Sequence, residues 1–209
     1  VRTTSATGHY NGRFSYDEAS RTTTYTNALG HAATYTHDEQ FQLVRTQDAR
    51  GASTHITYDV HARRIAETGP TGATTRWAYD ARGNPVIIVD PLGRQVRIAY
   101  NERDLPISLT DPAGTVWRRS YDERGNLTAV GTGETIWRYE HDAHGNVVRA
   151  YDPSGHFAEF AYDGRGLLIR ATDRQGDSSC FERDALGQVL ACIDAQGQRT
   201  AYRYTPEGL

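Results

Sequence analysis

The stretch "EHDAHGN" brings His141, Asp142 and His144 within four residues of one another. Two imidazoles and a carboxylate at that spacing are the ingredients of a divalent-metal site or of a His–Asp general-base pair. His37 and Asp38 repeat the doublet upstream. "GTGETIW", Gly131 to Trp137, is rich enough in glycine to invite a phosphate, although it lacks the lysine and helix of a phosphate loop. Cys180 and Cys192 supply thiols without metal-ligand spacing, and two cysteines are too few for a disulfide framework. Trp77, Trp117, Trp137, Phe160, Phe181 and Tyr202 form an aromatic series that could stack on sugars or simply pack across strands.

The elements that would position these residues account for most of them. A tyrosine-like residue followed by an acid or its equivalent recurs at Tyr16, His37, Tyr58, Tyr79, Tyr100, Tyr121, His141, Tyr162, Arg183 and Tyr204, always 21 residues apart except for 20 between Tyr121 and His141. A period held over that many intervals is the signature of a repeat architecture. His141 stands at the tyrosine position and Asp142 at the acid position, as do His37 and Asp38, so the register explains them without metal or catalysis. The acids Asp80, Asp122, Asp142 and Asp163 are each followed three residues later by Gly83, Gly125, Gly145 and Gly166. Half a repeat on, the spacing returns as Asp90 with Gly93 and Asp111 with Gly114, with Pro91 and Pro112 between. Aspartate opens a type I turn by accepting a bond from the backbone two residues on, proline pre-sets φ, and glycine takes the left-handed conformation that closes the loop. In the early repeats Ser20, Phe41 and Ala62 stand in for the turn glycine.

Each repeat therefore reads as two strands of about six or seven residues joined by two turns. In the second strand Thr75, Trp77 and Tyr79 point one way and Arg76 and Ala78 the other, the alternation of a half-buried antiparallel sheet. The first strand breaks this rule. Leu127 and Val130, or Leu168 and Ala171, are three apart and cannot share a face of a regular strand. An odd period needs one residue absorbed, by a β-bulge in the first strand or by turns of unequal length. The expected fold is all-β: an antiparallel hairpin meander of about ten repeats. Roughly twenty strands at about 4.8 Å would span about 95 Å, too wide to stay open, so the sheet is expected to curl, as a spiral wall or as the side of a large barrel. The expected organisation is a lead-in at residues 1–13 and a repeat array at residues 14–209.

Composition narrows the function classes. Apolar residues make up 37% of the 209, with 13 tyrosines and 20 glycines, which suits strands broken by tight turns. The 23 basic residues are all arginine, against 26 acids, for a net charge of −3. Evenly spread charge of that kind argues against a nucleic-acid or anionic-membrane surface. No apolar run reaches membrane-spanning length, and the absence of an initiating Met points to a segment of something longer. The two cysteines make a sharper expectation. Cys192 falls at the apolar position of Ile88, Leu109 and Val130, whereas Cys180 alternates with the aromatic series, so they should lie on opposite faces as free thiols.

The skeleton of "YDERGNLTAV" and "YDPSGHFAEFAYDGRGLL" resembles the YD repeat of Rhs proteins, over nearly the whole chain from about Phe14. The resemblance implies a β-sheet strip spiralled into a hollow shell that encloses a C-terminal toxin domain until delivery, as in polymorphic toxins and insecticidal toxin complexes. It implies synthesis in a bacterial cytoplasm followed by secretion or delivery, often by type VI secretion. The implied partners are further shell repeats, the enclosed toxin and secretion spike proteins, with no nucleic acid and no membrane span. No catalytic, metal or cofactor residue comes with it. The structural repeat residues it marks are Tyr58, Tyr79, Tyr100, Tyr121 and Tyr162 with the turn aspartates and glycines named above. The family's shell-closing Asp-Pro-x-Gly-Leu signature has its nearest counterpart in "YTPEGL", Tyr204 to Leu209, which falls in register as an ordinary repeat opening. The alternative is a surface-associated YD-repeat module that binds carbohydrate or protein.

Overall fold

The computed structural model describes residues 2–3, as backbone, and 12–205. Most of the expected lead-in and the last four residues of "YTPEGL" lie outside them. Every regular element among the described residues is a strand, and every strand pairing is antiparallel. Strands of five and six residues alternate, as in Arg64–Thr68, Thr74–Tyr79, Pro85–Val89 and Gln95–Tyr100, slightly shorter than the sequence implied. The chain divides into two compact units. One is Val1–Ile98 with Asp111–Ala113, and the other is Ala99–Thr110 with Gly114–Leu209. Each is a meander in which consecutive strands are neighbours.

The register locates the odd residue. In the first unit Tyr58 faces Arg64 and Thr57 faces Ala66, leaving Ile65 without an opposite number. In the second, Tyr162 faces Leu168 and Ala161 faces Arg170, leaving Ile169. Both turns of a regular repeat have the same length, with residues 80–84 between Tyr79 and Pro85 and residues 90–94 between Val89 and Gln95. The bulge in the first strand thus restores the parity that 21 residues would break. It puts Leu168 and Ala171 on one face, opposite Tyr162 and Phe160.

The short repeat loses its residue elsewhere. Gly131 faces Ile136 and Thr132 faces Thr135, so a two-residue loop, Gly133 and Glu134, replaces the longer turn. Gly133 has φ +55°, as the first central position of such a loop requires. "GTGETIW" is therefore a tightened hairpin. A Cβ on Gly131 would overlap the Thr135 carbonyl oxygen and stand 2.7 Å from Ile136 Cα, so only glycine fits this close approach.

The faces fall as the alternation predicts. Trp77 lies opposite Ile88, Trp117 opposite Leu109, Trp137 opposite Val130 and Phe181 opposite Cys192. Each bulky ring meets an aliphatic or small residue, the complementary pairing that holds a sheet face together. Cys180 instead faces Arg170 and Ile193, on the other side of the sheet from Cys192. Ala191 is the one hydrophobic side chain among the described residues that is fully buried. It pairs with Glu182, on the face opposite Phe181. The aromatic face is half-buried, because a single layer covers side chains from their flanks and not from above. No helix among the described residues is long and apolar enough to cross a membrane.

Candidate functional site: the repeated hairpin turn

The turn that opens most repeats is built around one carboxylate, and after Tyr100 the amide oxygen of Asn101 takes its place, accepting from Arg103 N and Leu105 N. Asp80 N–H donates to Asn84 O at 2.9 Å and Gly83 N–H donates back to Asp80 O at 3.1 Å, closing a type I turn with a glycine bulge. Gly83 has φ +95°, a region a side chain disfavours. Asp80 Oδ1 accepts from Arg82 N and Asn84 N, each at 2.9 Å, and Oδ2 from Asn84 Nδ2 at 3.1 Å. Asp122 with Asn126 and Asp142 with Asn146 reproduce the arrangement. Asp163 accepts from Arg165 N and Leu167 N. The half-repeat turns match: Gly93 N–H donates to Asp90 O at 2.9 Å, Asp111 Oδ1 accepts from Ala113 N at 2.9 Å, and Gly114 has φ +87°.

The asparagine after the glycine belongs to the repeat skeleton, and the structure gives it a role. It binds the second carboxylate oxygen, and its side-chain bond is the leading cause that holds Asp122 and Asp142 below the usual carboxylate range. At Asp80 and Asp163 the leading cause is the backbone N–H of Asn84 or Leu167. Carboxylates held below the usual range in this way stay ionised at neutral pH, and most of their accepting capacity is spent on their own turn. Asp142 is one of them, and its neighbour His144 donates its backbone N–H to Oδ1, at 2.8 Å. Among the described residues no three His, Cys, Asp or Glu side chains are grouped to hold a metal.

The tyrosines have a second task. Tyr58 Oη donates to Leu43 O at 3.0 Å, Tyr79 to Arg64 O at 2.7 Å, Tyr121 to Pro106 O at 2.9 Å and Tyr162 to Val147 O at 2.9 Å. Each acceptor lies 15 residues earlier, where the first strand leaves its turn, and at Leu43, Arg64 and Val147 the register shows the bulge following it. A bulge interrupts the ladder there, and the next repeat's hydroxyl supplies the missing donor. Arg183 shows what the position demands: its Nε donates to Leu168 O at 3.0 Å and Nη1 to Gly187 O at 2.9 Å. Tyr100 ends the strand Gln95–Tyr100.

Turns one repeat apart also touch. Arg103 donates to Asp122 O at 2.7 Å and Glu123 O at 2.5 Å, Arg165 donates to Ala185 O at 2.8 Å, and Arg124 donates to Ala143 O. Nothing in the local pattern signals these bonds, because donor and acceptor are 19 or 20 residues apart.

The degraded turns fall into two kinds. Phe41 and Ala62 both take φ +61°, and Asp104 takes φ +58°, so they fill the glycine position under strain. Ser20 does not. Its N–H and hydroxyl bind Asp17, at 3.3 and 2.7 Å, the left-handed residue is Arg21 at φ +50°, and Asp17 pairs with Thr22 in an unbulged ladder.

The family model described as RHS Repeat matches residues 16–54, 58–95, 100–136, 124–156 and 141–178. No curated protein matches the chain. Among solved structures it is similar to TcdB2-TccC3 without its hypervariable C-terminal region, at 14% identity and TM-score 0.77, over 98% of this chain and 14% of that one. It is similar to TcdB2-TccC3 at 16% identity and TM-score 0.64, over 99% of this chain and 16% of that one. It also resembles the Photorhabdus luminescens Tc holotoxin pore carrying a TccC3 substitution, at 15% identity and TM-score 0.63, over 99% of this chain and 15% of that one.

Proposed function

The chain belongs to the RHS repeat family, and from that premise we propose that it is a structural segment of a toxin-enclosing shell. The observation that carries the reading is the family match in register with the turns, joined to a fold shared over 98% of the chain with a Tc toxin protein. The chain spans about one-seventh of that protein's length, so it corresponds to a stretch of wall. Its geometry supports a wall: carboxylates consumed by turns, tyrosines spent on bulges, and arginines joining one turn to the next. In this reading the remaining repeats extend the sheet until it curls and closes over a C-terminal toxin domain. The protein is made in a bacterial cytoplasm and delivered to a target cell, with a secretion spike protein as carrier. Any catalytic activity belongs to the enclosed domain.

Limited proteolysis of the full-length protein tests this. The passenger should resist protease within the intact shell and become sensitive when Gly125→Val and Gly166→Val strain two turns at φ +91° and +77°. A passenger cleaved equally fast in both proteins would overturn the enclosure.

A further inference from the structure

The two faces of the sheet in the first unit differ in charge as well as in aromatic content. Cross-strand pairs share a face, so the register assigns each residue. Arg76 faces Ala66 and Val89, and Arg97 faces Ile87, which itself lies beside Ala78. Arg45 faces His55 and Thr36, and Arg13 faces Thr26. Following these pairs strand by strand puts Arg13, Arg45, Arg76 and Arg97 on the face opposite the aromatic series, with every other strand position there neutral except His55 and Asp17. All four arginines are exposed, and among the described residues none has an ion pair. Asp17 sits at a strand end and is committed to Ser20. A chain of net charge −3 thus presents one face of its first unit with arginine and almost no acid.

We infer that this face of the first unit binds an acidic segment of polypeptide, laid across the strands. The spacing favours that ligand. Arg76 and Arg97 stand two strands apart and one same-face position out of line, roughly 12 Å, and Arg45 and Arg76 three strands apart, roughly 16 Å. An extended peptide with a carboxylate at every third residue advances about 10 Å per charge, which flexible arginine side chains can meet. The threonines between the arginines, such as Thr68 and Thr74, paired at 2.9 Å through their hydroxyls, offer further hydrogen-bonding groups to a peptide backbone. A nucleic-acid strand fits less well. Its phosphates are several times more closely spaced than these arginines, and the aromatic rings that would stack on bases lie on the other face. The inference does not depend on the shell reading, since it follows from the face alone.

The test titrates the fluorescently labelled chain, held at nanomolar concentration, with a peptide of about 20 residues bearing glutamate at every third position. Binding should be saturable and weaken as salt rises. The triple variant Arg45→Glu, Arg76→Glu, Arg97→Glu should lose at least about tenfold in affinity, on the order expected for three charge contacts. Arg50→Glu, Arg174→Glu, Arg203→Glu makes the same change in net charge away from this face and should bind like the parent. Circular dichroism shows that each variant keeps its sheet; if the first triple does not, Arg76→Gln with Arg97→Gln replaces it. Equal losses in both triples, no binding of the glutamate peptide, or tighter binding of single-stranded DNA with the same mutational pattern would each overturn the inference.

Discussion

The turn carboxylates and the glycines beside them carry the clearest consequences of single residues. Gly83 has φ +95°, and a Cβ there would meet nothing within 4 Å, so Gly83→Ala isolates backbone strain from steric clash. It should destabilise the chain by about 1–2 kcal/mol. Ala62 occupies the same slot at φ +61°, and Ala62→Gly should stabilise by about 1 kcal/mol. Urea unfolding of the pair checks both signs, and a stabilising Gly83→Ala would contradict the turn assignment. The aspartates set the response to acid. Asp80, Asp122, Asp142 and Asp163 are all held below their ordinary values, so each contributes stability that is complete above its unfolded value. That contribution is lost as pH falls through the depressed folded values. The melting temperature should therefore stay level from neutral pH down to about pH 5 and drop below about pH 4. In a chain carrying Asp122→Asn and Asp142→Asn the acid drop should be shallower; an unchanged profile would show that these bonds do not couple to folding.

A strand with a bulge needs a donor from outside its own ladder, and the tyrosine of the next repeat is that donor. Tyr121→Phe removes the hydroxyl from Pro106 O without changing ring packing, and should lower stability by about 1 kcal/mol. Tyr16 is 63% exposed, so Tyr16→Phe should have no measurable effect and serves as the comparison. Matching losses at the two positions would mean that removing any hydroxyl, and not breaking the bond to Pro106 O, is what counts. The Arg183 bonds to Leu168 O and Gly187 O explain why a repeat survives without its tyrosine.

A single sheet layer with its aromatic side only half-covered is a component that gains most from continuing. The strand Arg199–Ala201 pairs with Val189–Ile193, is exposed at all three residues, and has no second partner among the described residues. Bare strand edges template association. The purified chain should therefore shift toward larger species as its concentration rises through the micromolar range, as read by size exclusion with light scattering. A monodisperse monomer with one cooperative thermal transition would mark a self-contained domain instead.

The turn type and the alternation within each strand were legible in the sequence because each depends on residues within about five positions, and the period because those local patterns recur every 21 residues. Asp80, Gly83 and Asn84 meet whatever lies around them, and Thr75, Trp77 and Tyr79 share a face in any strand. The place of the odd residue was not legible. Nothing local distinguishes Ile65 or Ile169 from its neighbours, and only the pairing with the preceding strand leaves it without a partner. The same holds for Tyr79 reaching Arg64, for Arg103 reaching the Asp122 turn, and for the arginine face of the first unit. These depend on register between separate strands, where a slip of one residue exchanges the faces, so they were decided only when the strands came side by side.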